Sequence, residues 1–128
     1  MIRPDMIGLV VQDIKKSLAF YRHLGLAVSD PKGEEPYVEV KANGYRISWN
    51  SIEMVKKLEP KWVAPKGHRM ELAFLCDSPK EVDTTYKKLE KAGYEGHKEP
   101  WDAFWGQRYA VVVDPDGNHV SIFAPLGK

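Results

Sequence analysis

The chain reads as one run of elements written twice, and that repetition limits the folds open to it more than any single motif. MIGLVV (6–11) is an apolar run of strand length. Asp13 after it is a candidate N-cap for a helix that places Ile14, Leu18, Tyr21 and Leu24 near helical spacing. Gly25 suits the left-handed position that ends such a helix. A short strand is expected over 26–29, and DPKGEE (30–35) is turn material. YVEVKA and YRISWN then flank Asn43-Gly44, the strongest two-residue hairpin signal. A short helix is read over 51–58.

The second half repeats the order. MELAFLC (70–76) reads as a strand, and Ser78-Pro79-Lys80-Glu81 as a capping box with proline at the first helical position. Val82, Tyr86, Leu89 and Ala92 form the buried face of that helix, and Gly93 stops it. Extended YEGHKE (94–99) leads into the aromatic stretch EPWDAFWGQRY. RYAVVV and HVSIFAP then flank the turn Asp114–Asn118. The prediction is an α+β fold of two paired βαβββ modules, with mixed sheets curled around a cavity and helices on the outer faces. It is a single domain over 1–128: module 1 at about 5–57, a linker at 58–68 and module 2 at about 69–125.

Turn chemistry fixes which side chains share a face. A two-residue turn at Asn43-Gly44 pairs Ala42 with Tyr45, Val40 with Ile47 and Glu39 with Ser48. Val38, Val40, Ile47 and Trp49 then pack under a helix, while Tyr37, Glu39, Lys41, Arg46, Ser48 and Asn50 form a polar face. In the last hairpin, Val113 pairs with His119, Val111 with Ser121 and Tyr109 with Phe123. Ala110, Val112, Val120, Ile122 and Ala124 suit the helix side, which leaves Tyr109, Val111, Val113, His119, Ser121 and Phe123 facing the cavity. A slip of one residue would exchange the faces.

Bulk properties exclude several functions. A net charge of +1 and a pI near 7.8 give no electrostatic footprint for nucleic acid or an acidic membrane. No apolar run approaches the eighteen or so residues of a membrane span, and no signal peptide is read. The single Cys76 cannot form an internal disulfide, which favours a reducing compartment, and the cytoplasm is the expected setting.

IGLVVQDIKKSLAFYRHLGL (7–26) and DPDGNHVSIFAPL (114–126), closing a duplicated chain of this length, resemble the vicinal oxygen chelate superfamily, which includes glyoxalase I, extradiol dioxygenases and bleomycin resistance proteins. The resemblance covers nearly the whole chain. PWDAFWGQRYAVVVDPDGN is closest in look to the bleomycin and mitomycin resistance type. The resemblance implies paired βαβββ modules, a homodimer and a ligand cavity. In metal-dependent members, four cavity strands each supply one ligand, usually His, Glu or Gln. The resemblance maps those positions to Met6, Ser48, Glu71 and Ser121. One carboxylate, two hydroxyls and a thioether are not a divalent-metal set, so no metal and no other cofactor is expected.

His23, His68, His97 and His119 show no paired ligand spacing. His23 is read at a helix end, His68 in the linker, His97 as exposed, and His119 beside the turn mouth on the cavity face. Glu71 interrupts an apolar strand, so it needs a partner or a raised pKa. Arg46, Arg69 or a cationic ligand could supply that partner, and an intramolecular ion pair or a solvent-facing strand end is the plainer use. Trp49 reads as core and Trp62 as a rim or interface residue.

Pro100, Asp102 and Gly106 break strand periodicity around Trp101, Phe104 and Trp105. These rings suit a wall for a flat ligand, a dimer interface, or core packing. The ligand contacts are expected at Tyr37, Glu39, Ser48, Glu71, Trp101, Phe104, Trp105, Tyr109, Ser121 and Phe123. The partners expected are a small molecule and a second copy of the chain, without nucleic acid or membrane. No activated nucleophile is visible. The expected function is metal-free binding of an aromatic or antibiotic-like molecule. The alternative is a lyase, isomerase or dioxygenase using Glu71 as base or ligand.

Overall fold

The computed structural model describes residues 1–68 and 70–127. Ten elements follow in chain order: β1 (Met6–Val11), α1 (Ile14–Arg22), β2 (Tyr37–Ala42), β3 (Tyr45–Ser51), α2 (Ile52–Leu58), β4 (Leu72–Leu75), α3 (Pro79–Lys91), β5 (Gly96–Ala103), β6 (Gln107–Val113) and β7 (His119–Pro125). They form two compact units, Met1–Lys66 and Gly67–Lys128, each an α+β layer built on one mixed sheet.

In the first unit the sheet order is β1-β3-β2, with β1 parallel and β2 antiparallel to β3. Asn43 and Gly44 both have positive φ, 39° and 95°, the combination a type I′ hairpin turn requires. The turn sets the expected pairs: Ala42 with Tyr45, Val40 with Ile47, and Glu39 with Ser48. Ile47 and Trp49 are buried on one face with Leu18, Phe20 and Tyr21 of α1. The Trp49 indole donates to Ser17 Oγ at 3.1 Å, and its ring meets Tyr21 edge-on at 5.8 Å. The side chain of Asp13 caps α1 by accepting from Lys16 N–H, and that of Ser51 caps α2 by accepting from Met54 N–H.

The strand expected over 26–29 does not form. Leu26 N–H bonds to Tyr21 O and Val28 N–H to Leu26 O, while Arg22 Nε donates to Val28 O at 2.6 Å and its guanidinium pairs with Asp30. Helix end and arginine take up these backbone groups, so the sheet of the first unit stops at three strands.

The second unit has the full βαβββ order, with sheet order β4-β7-β6-β5. The pairs Val113–His119, Val111–Ser121 and Tyr109–Phe123 form in the register set by the turn. That turn is held by Asp114, whose carboxylate accepts from Asp116 N–H, Asn118 N–H and Asn118 Nδ2. Val82, Tyr86 and Leu89 of α3 are buried with Ala110, Val112, Val120, Ile122 and Ala124.

Two boundaries differ from expectation. β4 starts at Leu72, which leaves Glu71 outside the strand and exposed. β5 continues through Pro100, Trp101 and Asp102 where a break was expected. It lies at the sheet edge, where a proline costs no needed ladder donor. Register shifts on both sides of Lys98 absorb the lost periodicity.

Gly96 is fixed by close approach. A Cβ there would collide with the Tyr86 hydroxyl and lie 2.6 Å from its Cζ, and Tyr86 is buried beneath β5. Gly96→Ala is expected to destabilise the second unit by about 1–3 kcal/mol. Tyr86→Phe in the same background should recover part of that loss in a denaturant titration.

Candidate functional site

The open face of the second unit's sheet gathers most of the predicted contacts. Tyr109, in the middle of β6, is its hub. Its ring meets Trp101 at 5.5 Å and Trp105 at 5.3 Å, both edge-on, and stacks with Phe123 at 6.1 Å. Trp101 and Trp105 cross at 90° with centroids 5.9 Å apart. Edge-to-face packing at these separations suits ring quadrupoles and stiffens the cluster. The Trp105 indole donates to Gln107 Oε1 at 2.7 Å, which fixes the second ring.

Behind the rings lies a short polar chain. Tyr109 Oη donates to Ser121 Oγ at 2.8 Å and lies 3.4 Å from Glu71 Oε1. Ser121 Oγ, fully buried, reaches the same carboxylate oxygen at 3.3 Å. Glu71 therefore meets hydroxyls here. Arg46, one expected partner, is engaged elsewhere, and Arg69 lies outside the described residues. Phe104 stands apart at the β5–β6 turn, 96% exposed, and touches the cluster only through Trp105.

Tyr37, Glu39 and Ser48 sit together on the polar face of the first unit. Arg46 donates through Nη1 to both Glu39 oxygens, at 3.1 and 2.9 Å, and through Nη2 to Asp5 at 2.6 Å. Those bonds hold the Glu39 carboxyl below its usual range and raise the Arg46 guanidinium. Tyr37 Oη lies 3.2 Å from Glu39 Oε1 and 3.3 Å from Met6 Sδ. Ser48 Oγ is buried and accepts from Asn50 Nδ2 at 3.1 Å. This face is already hydrogen-bonded to itself.

The four residues to which the resemblance maps metal ligands do not have the chemistry of a divalent-cation donor set. Among Met6, Ser48, Glu71 and Ser121, only Glu71 offers an anionic oxygen. Met6 Sδ faces the Tyr37 hydroxyl, while Ser48 and Ser121 spend their oxygens on Asn50 and Tyr109. Among the described residues, no three of His, Cys, Asp and Glu are grouped to hold a metal.

Three of the four histidines, His68, His97 and His119, form a group that sequence spacing does not reveal. His68 stacks on His119 with centroids 3.9 Å apart, and His97 lies 4.2 Å from His119. Ring-nitrogen lone pairs lie in the ring planes, so rings stacked within about 30° of parallel set them side by side rather than converging on one ion. Partial burial pushes the His119 pKa below its usual value; charge on His68 and His97 acts the same way, and Glu71 and Glu95 oppose it. A lowered folded-state value means that the unfolded chain binds the proton more readily. The contribution is therefore intact above the ordinary imidazole value and lost as pH falls through and below it. Lowering the pH through that range is expected to depress the melting temperature of the wild type more than that of His119→Gln.

Burial raises the Cys76 thiol to about 11, with Glu81 and Asp77 adding to the shift, so little thiolate forms at neutral pH. A concavity of about 500 Å³ in the first unit lies between the start of α1, the 31–36 loop and α2. Its lining mixes Asp13, Glu34 and Glu53 with Lys15 and Lys57 and includes no aromatic ring. It is not the predicted site.

A mixed sheet with helices in each unit, and an aromatic and hydroxylic sheet face in the second, define a duplicated α+β protein of the βαβββ class. The profile of the Glyoxalase/Bleomycin resistance protein/Dioxygenase superfamily matches residues 3–122, and the chain belongs to that superfamily. An uncharacterized protein of Mycobacterium bovis is 26% identical over 123 residues, spanning 92% of this chain and 80% of its own length. A glyoxalase/bleomycin resistance protein/dioxygenase family enzyme of Burkholderia phytofirmans superposes with a TM-score of 0.83 at 22% identity, over 95% of this chain and 98% of its own. A glyoxalase/bleomycin resistance protein/dioxygenase of Nocardioides superposes with a TM-score of 0.76 at 26% identity, over 100% and 89%. No helix among the described residues is long and apolar enough to cross a membrane.

Proposed function

We propose that this chain is a metal-free binding protein for a small aromatic or heteroaromatic molecule, antibiotic-like in character, which it holds without chemical change. The observation that carries the reading is the cluster of Trp101, Trp105, Tyr109 and Phe123 over the Ser121–Glu71 pair. Rings fixed by one another bind a flat ligand with little loss of rotamer freedom. The polar chain beneath them supplies orientation. The reading includes a cytoplasmic homodimer, supported by the large apolar side chains left exposed, Phe104, Leu75 and Met70 among them.

A second reading, a lyase, isomerase or dioxygenase using Glu71 as base, draws on the same hydroxyl chain. The carboxylate oxygen of Glu71 is already taken up by the Ser121 hydroxyl and lies near that of Tyr109, an arrangement that suits holding a ligand in place. Titrating a panel of bleomycin-like, mitomycin-like and simpler fused-ring compounds against tryptophan fluorescence is the direct test. Saturable quenching by at least one class, with the compound recovered unaltered, is the expected result. A panel without quenching, or stoichiometric metal in protein purified without chelators, would overturn the reading.

A further inference from the structure

The path of β5 around Lys98 is irregular in a specific way. Lys98 pairs with Val111 and Trp101 with Tyr109, so β5 spends three residues where β6 spends two. Between Gly96 and Lys98 it spends two against one. Bulges therefore flank Lys98 on both sides. In a regular strand Lys98 and Trp101, three apart, would point to opposite faces. Val111 and Tyr109 are two apart and share a face, so the second bulge brings their partners, Lys98 and Trp101, onto that face too. The Lys98 ammonium ends 4.2 Å from the Trp101 ring centroid. Cation and ring thus meet because the strand departs from its register to let them.

We infer that the Trp101 face is a cation subsite of this surface, that Lys98 fills it in the free protein, and that the ligand is an organic cation whose charge takes the place of the lysine. The inference rests on the aromatic-binding reading above and adds the ligand's charge to it. A neutral flat molecule that displaces Lys98 loses a cation–π contact and replaces it with nothing equivalent. A cation restores the contact, and the same face carries Glu71, for which no Lys or Arg among the described residues forms an ion pair. Lys98 is then a resident surrogate that sets a threshold for binding and discriminates by charge.

Acridine and N-methylacridinium, nearly identical in shape, separate charge from stacking at a mildly alkaline pH where acridine is neutral. Calorimetric titration should show N-methylacridinium binding about five- to tenfold more tightly to the wild type. Lys98→Ala should tighten the cation about two- to fivefold and acridine less, because the lysine also repels positive charge. Glu71→Gln should remove much of the cation's preference. In the free protein the Lys98 side-chain methylene protons should show an upfield ring-current shift that the cation relieves. Equal affinities for the two dyes, or weaker cation binding by Lys98→Ala, would overturn this inference and leave the aromatic-binding reading standing. Failure of both dyes to bind, at concentrations that saturate ordinary stacking sites, would remove both.

Discussion

Trp49→Ala is expected to cost about 3–5 kcal/mol, the range for emptying a fully buried aromatic site. Trp49 is 0% exposed, and truncation removes its ring from the edge contact with Tyr21. It also takes away the indole N–H that meets Ser17 Oγ, a hydroxyl itself shut off from water. Domains of this size have about 5–15 kcal/mol in total. The first unit should therefore unfold at much lower denaturant, and near-ultraviolet circular dichroism followed through the transition would show it. Trp49→Phe keeps most of the apolar volume and loses only the hydrogen bond and some contact, so its cost should be well under half. If the two substitutions cost the same, the hydrogen bond to Ser17 dominates and the packing account is wrong.

Tyr109→Ala should reduce ligand affinity by roughly tenfold to a hundredfold, which combines lost stacking area with the loosening of three neighbouring rings. Tyr109 contacts Trp101, Trp105, Phe123 and Ser121 together. Tyr109→Phe keeps the ring and frees Ser121, and a loss of only about threefold to tenfold is expected. Isothermal titration with any panel member that binds, paired with a melting curve for each variant, separates a damaged site from a damaged fold. An unchanged affinity for Tyr109→Ala in a folded protein would place the ligand elsewhere, with the charged concavity beside α1 the next surface to probe.

Wherever chemistry is local, the sequence announces the structure. Asn43-Gly44 and Asp114–Asn118 determine their hairpins because turn dihedrals admit few residues, and once they are placed the strand faces follow by alternation. Ser51, Ser78 and Asp13 mark helix starts for the same reason. The strand expected over 26–29 was lost to a longer-range event, the reach of Arg22 to Val28 and Asp30, which no pattern within those four residues encodes. Pro100 and Asp102 argued against a strand because periodicity assumes a regular ladder, and an edge strand with bulges is free of that assumption. The hub role of Tyr109 and its link to Ser121 were legible once the register was known. The histidine column was not, since His68, His97 and His119 come from three separate segments and no spacing rule joins them.

The irregular edge of β5 has a consequence beyond its lysine. A straight outer strand presents an even row of unpaired N–H and C=O groups, to which a strand from another molecule can attach. Here the row is interrupted at Pro100 and twisted by the register shifts beside Lys98. Deleting both His97 and Pro100 would remove the two register shifts and the proline, and so restore a regular ladder and a template for open-ended strand addition. The protein should then lose solubility through intermolecular β-sheet growth, even with its aromatic side chains intact.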